Sequence, residues 1–414
     1  MKPFFNRFRI VGLLVILFAV FLFWLVSRQV EWGALSTLRI TYPGARPVDP
    51  PLVDIPLPTL PTVLLLCVGL IAGGVYLIIR EHARMIPWYV GSAIFVTMFT
   101  ILIWASSGNR VDIVDLLARM VRLATPIALG AIAGILCERS GIVNIAIEGL
   151  MLTGACVGFI VAMLAGNSWV GILAAMAAGG AIVMVHALLS IRFKTDQIIS
   201  GTVINILAVG VTGFMRTSVI LPLQEQGFSG TSLPLLPVPV LSKIPVIGPI
   251  LFNHQPIAYA MLLLMPIMTV LIFRTSWGLR TRSIGENPRA ADTMGIDVIR
   301  MRYMNVFLSG LVAGLAGAWF SLEATFNFDD LMTNGRGFIS LAAMIFGNWT
   351  PFGALGGALL FSLSDALQIK IQGFNFALPP QFIQMLPYVI TIIVLAGVVG
   401  RTRAPAAVGQ PYEK

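Results

Sequence analysis

Residues 140–149 read Ser-Gly-Ile-Val-Asn-Ile-Ala-Ile-Glu-Gly and interrupt what would otherwise be one long apolar run. A second interrupted run, residues 337–347, reads Gly-Phe-Ile-Ser-Leu-Ala-Ala-Met-Ile-Phe-Gly. A helix that crosses a membrane needs roughly 20 apolar residues, so the second stretch is too short to cross alone. The two stretches therefore predict broken or re-entrant helices inside a membrane protein.

The segments that precede these two stretches are similar to each other. Residues 121–136 and 306–320 are both rich in small residues, and each ends near a glutamate. Their GxxxG patterns and glutamates are Gly130/Gly134 with Glu138, and Gly310/Gly314 with Glu323. The topology derived below runs the first segment inward and the second outward, which predicts an inverted repeat in the core. Close helix packing through small residues is the alternative explanation.

The composition places most of the chain in a membrane. The 414 residues are 57% hydrophobic and 11% charged, whereas about 25% of a soluble protein is charged. The candidate spans are 10–27, 60–79, 86–104, 116–137, 143–165, 168–191, 197–220, 256–273, 303–322, 338–348, 353–370 and 381–400. We therefore predict an all-α polytopic membrane protein with about 11–12 segments, including the short broken pair.

Proline- and glycine-rich stretches at 42–61 and 221–256 are predicted loops. The chain is expected to divide into an N-terminal extension with three transmembrane helices (1–109), a core (110–400) and a cytoplasmic tail (401–414). The sequence indicates no function for the extension.

The net charge of +9 does not indicate nucleic-acid binding, because the basic residues lie at the ends of apolar runs and act as orientation signals. With the N-terminus inside, well over half of the 27 Lys and Arg residues fall on the cytoplasmic side. The C-terminus is also inside if 338–348 and 353–370 each cross once. This count predicts a turn at 347–351.

Residues 273–302 form one strongly basic island between apolar runs. Its cations are Arg274, Arg280, Arg282, Arg289, Arg300 and Arg302. Within it, Gly285-Glu286-Asn287-Pro288 predicts a turn followed by a proline at the first position of a helix. About two helical turns then end at Gly295. A short helix on the cytoplasmic face suggests a docking element for a soluble partner; the alternative is a plain connecting loop.

Four polar residues in apolar segments are candidates for a substrate pathway: Asn144, Glu148, Gln197 and Asn205. Asn144 and Glu148 are four residues apart and share a helix face. An acid at the membrane centre costs roughly 2.5 kcal/mol or more, so Glu148 is either a pathway group or a structural acid bonded to a neighbouring helix end. Gln197 and Asn205 lie on one polar stripe, which faces a lumen or forms interhelical hydrogen bonds.

Other chemistry has little support in the sequence. Asp365 is predicted to be a structural buried acid and His186 a packed histidine. The three cysteines and three histidines form no metal-binding pattern, so no metal or cofactor is expected. GxxxxGK[ST] occurs nowhere, and no catalytic motif is present. We therefore expect no catalytic residues and no enzyme.

Three segments carry a resemblance to a known family: residues 138–152, 285–296 and 335–349. From about residue 110 to 400 the chain resembles the membrane subunits of bacterial ABC importers in the branched-chain amino acid/ribose/nucleoside permease superfamily. Residues 138–141 (ERSG) and 335–339 (GRGFI) are most similar to the nucleoside branch.

The resemblance implies an importer of nucleosides in the bacterial inner membrane. Its partners would be a cytoplasmic ATPase subunit, a second permease (identical or paralogous) and an extracytoplasmic solute-binding lipoprotein. A sugar or branched-chain amino acid permease is an alternative, as is an ion-coupled secondary transporter that uses Glu148 or Asp365. A scaffold or receptor would not need broken helices.

In ABC permeases a short cytoplasmic helix with an EAAxxxG-like pattern enters the ATPase subunit. Here the pattern begins with an arginine in place of the glutamate, and a following I-x-L-P is absent. The resemblance implies a coupling helix made by Gly285, Glu286, Asn287, Pro288, Arg289, Ala290, Ala291 and Gly295.

Overall fold

The computed structural model describes residues 7–41, 52–80, 86–374, 385 and 403–413. Within these ranges nine helices are long and apolar enough to cross a membrane. The prediction of an all-α polytopic membrane fold is confirmed. The predicted span 381–400 lies, except for residue 385, outside the described residues.

The longer helices agree with the predicted spans to within a few residues. In chain order the helices are α1 (Arg7–Gln29), α2 (Thr59–Arg80), α3 (Ile86–Ala105), α4 (Ile113–Glu138), α5 (Ile147–Ala165), α6 (Ser168–Ala187), α7 (Gln197–Met215), α8 (Leu221–Glu225), α9 (Ile247–Leu251), α10 (Pro256–Arg274), α11 (Ser276–Glu286), α12 (Pro288–Thr293), α13 (Val298–Ala318), α14 (Arg336–Phe346) and α15 (Pro351–Gln372). Short π-helical turns extend three of them, at Leu188–Arg192, Arg216–Ile220 and Trp319–Ala324.

The chain forms two compact units. The first contains residues 1–121, 237–253 and 360–401. In this unit α1 packs against α2, and α2 packs against α3. The unit also contains a three-stranded sheet. In this sheet β1 (Leu35–Ile40) pairs antiparallel with β2 (Val53–Pro58) and parallel with β3 (Arg110–Asp112).

The sheet corrects the prediction of a loop over 42–61, because β2 occupies most of its C-terminal half. The sequence does not indicate this strand because Pro56 and Pro58 lie within it, and proline is rare in strands. They are tolerated because β2 is an edge strand. Asp112 at the end of β3 then caps α4 by accepting N–H bonds from Val114 and Asp115. The predicted domain boundary at 109/110 falls just before β3, and it stays a prediction.

The second unit contains residues 122–236, 254–359 and 402–414. Here α5, α6 and α13 pack through glycines: a Cβ at Gly154 would lie 2.7 Å from the Gly314 carbonyl oxygen. The GxxxG ridge at Gly310 and Gly314 faces α6, where it meets Gly179. The other ridge faces α14, since a Cβ at Gly130 would lie 2.5 Å from the Ser340 hydroxyl. Both patterns therefore permit close packing, and the inverted repeat stays a prediction.

The segment between α7 and α10, residues 221–256, contains more regular structure than the predicted loop. Besides α8 and α9 it forms a 3₁₀ turn at Leu241–Lys243 and two short strands, β4 (Leu236–Pro237) and β5 (Asn253–His254).

Candidate functional site

The break between α4 and α5 is the centre of the candidate site. Residues 139–146 contain no regular helix. Side chains of α6 and α7 bind the backbone of Val143: Gln197 Oε1 accepts its N–H at 2.7 Å, and His186 Nε2 lies 2.9 Å from its carbonyl oxygen. Unwound backbone inside a membrane is tolerated when such partners satisfy its polar groups.

Two asparagines complete the support of this break. Asn205 on α7 accepts from the Gly149 N–H at 2.8 Å and donates to the Ile145 carbonyl at 2.9 Å. Asn144, which is fully buried, accepts from the Ala146 N–H at 3.1 Å. Both amides therefore replace hydrogen bonds that a continuous helix would make with its own backbone.

Glu148, in the first turn of α5, is bound to the start of the short helix α14. One carboxylate oxygen accepts from the Thr333 hydroxyl at 2.6 Å and the Gly335 N–H at 2.8 Å, and the other accepts from the Gly337 N–H at 2.6 Å. A carboxylate at a helix N-terminus satisfies free N–H groups and interacts favourably with the helix dipole. Glu148 is therefore bonded to a neighbouring helix end, which is one of the two roles expected for it from the sequence.

The other end of α14 is bound to the end of α4. The Trp349 indole donates to Glu138 at 2.6 Å, and the Arg139 guanidinium donates to the Trp349 carbonyl at 3.0 Å. Desolvation lowers the pKa of Arg139. The predicted turn at 347–351 is present, since α14 ends at Phe346 and α15 begins at Pro351. Residues next to the break thus bind the segments at both ends of α14.

The structure brings the four predicted pathway residues together around residues 143–149. Each bonds to a backbone or side-chain group of the protein. Contact with a transported solute stays a prediction for all four. Asp365 lies in the half of α15 that belongs to the first unit.

His186 is a member of this cluster that the sequence did not assign to the site. It is fully buried, and its Nδ1 lies 3.0 Å from the Ser200 hydroxyl, so the prediction of a packed histidine is confirmed. A single histidine in an apolar helix gives no signal that its partner is the backbone at residue 143. Among the described residues, no cluster of His, Cys, Asp and Glu could hold a metal.

The predicted coupling helix has the local structure that its residues indicate. Asn287 caps α12 by accepting from the Ala290 N–H at 3.1 Å, and Pro288 is its first residue. Gly295, with a φ of 78°, ends the turn in the left-handed region that favours glycine. One prediction was wrong in detail: Gly285 and Glu286 are the end of α11 rather than part of a turn.

Helix α12 is attached by one face and open on the other. Ala291 packs with Ile284 of α11 and Val298 of α13. Met294 is 82% exposed, and Arg289 is exposed as well. Such a short, supported helix with one open face can dock a partner.

These features define a polytopic membrane protein with a broken-helix core, the arrangement used by transporters. Residues 116–395 match the family described as branched-chain amino acid transport system / permease component. Because this match covers more than half of the chain, the protein belongs to that permease family. The resemblance found in the sequence is confirmed, and so is the prediction of a transport subunit rather than an enzyme.

Several relatives are similar over almost their whole length. The guanosine ABC transporter permease protein NupQ of Bacillus subtilis is 39% identical over 322 residues, which are 73% of this chain and 99% of that protein. The nucleoside ABC transporter permease protein NupC of Lactococcus lactis is 38% identical over 309 residues, 72% of this chain and 96% of that protein. A putative glucose ABC transporter permease protein of Haloferax volcanii is 35% identical over 72% of this chain and 97% of its own length. No solved structure matches significantly.

Proposed function

We propose that this chain is the translocation subunit of an ATP-driven importer of nucleosides in the bacterial inner membrane. The similarity to NupQ and NupC, named for guanosine and nucleosides, carries the substrate class. The relative named for glucose makes a sugar the second candidate.

The pathway in this proposal runs beside the break at residues 139–146 and the short helix α14. Nucleosides are neutral and polar, so a route for them needs hydrogen-bonding groups without a fixed charge that would trap the solute. Asn144, Gln197 and Asn205 hold the break in shape, and Glu148 has its charge bound by the start of α14. The four residues would thus frame the pathway.

The proposed ATPase contact is α12. This contact is supported by the exposed Arg289 on α12 and the exposed Met294 directly after it, while Ala291 on the other face is packed. The further partners are a second permease, identical or paralogous, and a solute-binding lipoprotein that docks on residues 221–256. Both termini are cytoplasmic in this proposal.

Transport is tested by uptake of radiolabelled guanosine into cells that carry the chain with its neighbouring ATPase and binding-protein genes. We expect uptake that requires ATP and survives a protonophore. Unlabelled nucleosides should compete, and glucose and leucine should not. Uptake abolished by the protonophore at normal ATP would instead indicate an ion-coupled transporter.

The coupling helix is tested by Met294→Asp, with Met294→Leu as the matched control. The aspartate places a charge at the exposed C-terminal end of α12, outside the Ala291 cluster. We expect it to abolish co-purification of the ATPase subunit, whereas the leucine variant retains it. Normal retention in the aspartate variant would remove α12 from the contact.

A further inference from the structure

The C-terminal tail, residues 403–413, is bound along the segments that surround α12. Its backbone donates from Ala407 to the Gly285 carbonyl at 2.8 Å and from Gly409 to the Gly141 carbonyl at 3.1 Å. At its start, the Arg403 N–H donates to the Asn348 side chain at 3.1 Å. One short peptide therefore connects the end of α11, the start of the break and the turn after α14.

Arg302 of α13 is the buried anchor of this tail. Its side chain is among the largest that are fully buried, with 1% exposure. Its Nε donates to the Ser140 carbonyl at 3.2 Å and its Nη1 to the Gln410 carbonyl at 3.4 Å. Burying a charge is costly unless polar groups solvate it. Arg302 therefore gains part of its solvation from one carbonyl of the tail and one carbonyl of the loop that begins the break.

The tail also contacts α12 directly. Tyr412 packs against the cluster of Ile284, Ala291 and Val298 that attaches α12. Desolvation and a hydrogen bond with Asp292 of α12 raise the pKa of Tyr412. The centre of its ring lies 6.0 Å from the Arg302 guanidinium carbon. The same ring therefore contacts both the α12 cluster and Arg302.

Gly285 shows how closely these segments approach one another. A Cβ there would collide with the Arg139 carbonyl oxygen on one side and lie 3.4 Å from Pro405 of the tail on the other. The end of α11 thus lies between the loop that begins the break and the tail. A displacement of α12 and α11 cannot leave that loop unchanged, because packed protein interiors transmit strain.

We propose that the tail is a clamp that joins α12 to the break at residues 139–146, with Arg302 and Tyr412 as its positioning residues. The proposal rests on the proposed function of α12 as the ATPase contact. When the ATPase subunit moves α12, the clamp carries the movement to the break. Without the clamp the ATPase subunit stays bound, but ATP hydrolysis and transport are no longer linked.

The experiment uses the full-length permease in the assembled complex. Tyr412→Ala removes the ring from the α12 cluster, Tyr412→Phe keeps it, and Arg302→Met removes both anchoring bonds. Glu413→Gln is the control, since the Glu413 carboxylate forms an exposed ion pair with Lys194 at 2.7 Å. Two quantities are measured: the ATPase subunit retained on purification, and the ratio of substrate-stimulated to basal ATP hydrolysis.

We expect Tyr412→Ala and Arg302→Met to retain the ATPase subunit and to lose at least about fivefold in that ratio, the range of a modest coupling free energy. Tyr412→Phe and Glu413→Gln should behave as wild type. If Arg302→Met does not fold, the two Tyr412 variants decide.

A wild-type ratio in Tyr412→Ala would overturn the clamp. Loss of the ATPase subunit in Tyr412→Ala would also overturn it, since the tail would then belong to the docking surface itself. Failure of the proposed function gives a different result: Met294→Asp would leave the ATPase subunit bound, whatever the tail variants do.

Discussion

Three glutamates inside apolar segments accept N–H groups where helices begin or break. Glu148 binds the start of α14, Glu138 accepts from the Trp349 indole, and Glu323 accepts from the Ile257 N–H at the start of α10 at 2.5 Å. A carboxylate in a membrane is costly, so it persists where donors satisfy it. This use of Glu148 favours a structural role over the ion-coupled alternative, in which the carboxylate would have to release these donors.

Replacing Glu148 tests that role. Glu148→Leu leaves the N–H groups of Gly335 and Gly337 without their acceptor, and each unsatisfied buried donor costs about 1–3 kcal/mol. We expect a lower melting temperature in detergent and loss of transport. Glu225→Gln, an exposed acid of α8, is the control and should melt as wild type. An unchanged melting temperature for Glu148→Leu would contradict the cap.

Asn205 offers a second test at this scale. A pathway role alone predicts that Asn205→Leu slows transport and leaves assembly intact. Because the Asn205 amide bonds to the backbone of both Ile145 and Gly149, we expect a loss of about 1–3 kcal/mol of stability as well. Thr202→Val, on the exposed face of the same helix, is the control. Equal thermal stability of the two variants would return Asn205 to a purely pathway role.

At the scale of elements, the sequence predicts features that depend on neighbouring residues, such as helix ends, but not the contacts between residues that are distant in sequence. Asn287, Pro288 and Gly295 gave the bounds of α12 because capping depends on neighbouring residues. The short apolar run at 338–348 predicted the short helix α14. The polar stripe on α7 could not reveal that its partners are backbone groups some 55 residues earlier. The sequence does not predict the bound tail for the same reason, since its bonds to Gly141, Gly285 and Asn348 join residues that are distant in sequence.

Packing of α5 against α13 depends on the absence of side chains at glycine. In Gly154→Ala the new methyl group would lie 2.7 Å from the Gly314 carbonyl oxygen and 2.8 Å from its Cα. Overpacking of this kind costs typically about 1–3 kcal/mol, so we expect a lower melting temperature in detergent. Gly210→Ala on α7 meets nothing within 4 Å and serves as the control. Equal melting of both variants would contradict close packing at this crossing.

At the scale of the whole molecule, the charge pattern predicts which segments share a side of the membrane, and several of these segments contact one another. The basic residues of 138–142, 192–196, 274–302 and 401–414 predict that these segments are cytoplasmic. Within the second unit the structure joins them: Lys194 pairs with Glu413, and the tail bonds to Gly141 and Gly285. The bonds of Arg139 to the turn after α14 add residues 347–351 to the same group. The predicted topology, in which 338–348 and 353–370 each cross the membrane once, requires these segments to lie on the same side.

Cysteine labelling tests the orientation directly. Val240 in the proline-rich segment is 76% exposed and Met294, directly after α12, is 82% exposed, whereas the native Cys67, Cys137 and Cys156 are buried. A membrane-impermeant thiol reagent should therefore modify Val240→Cys in intact spheroplasts, and Met294→Cys only after permeabilisation. Wild type, with its buried thiols, gives the background. Added binding protein should protect Val240→Cys if residues 221–256 form its docking surface. Labelling of Met294→Cys in intact spheroplasts would invert the topology, and α12 could not then contact a cytoplasmic ATPase subunit.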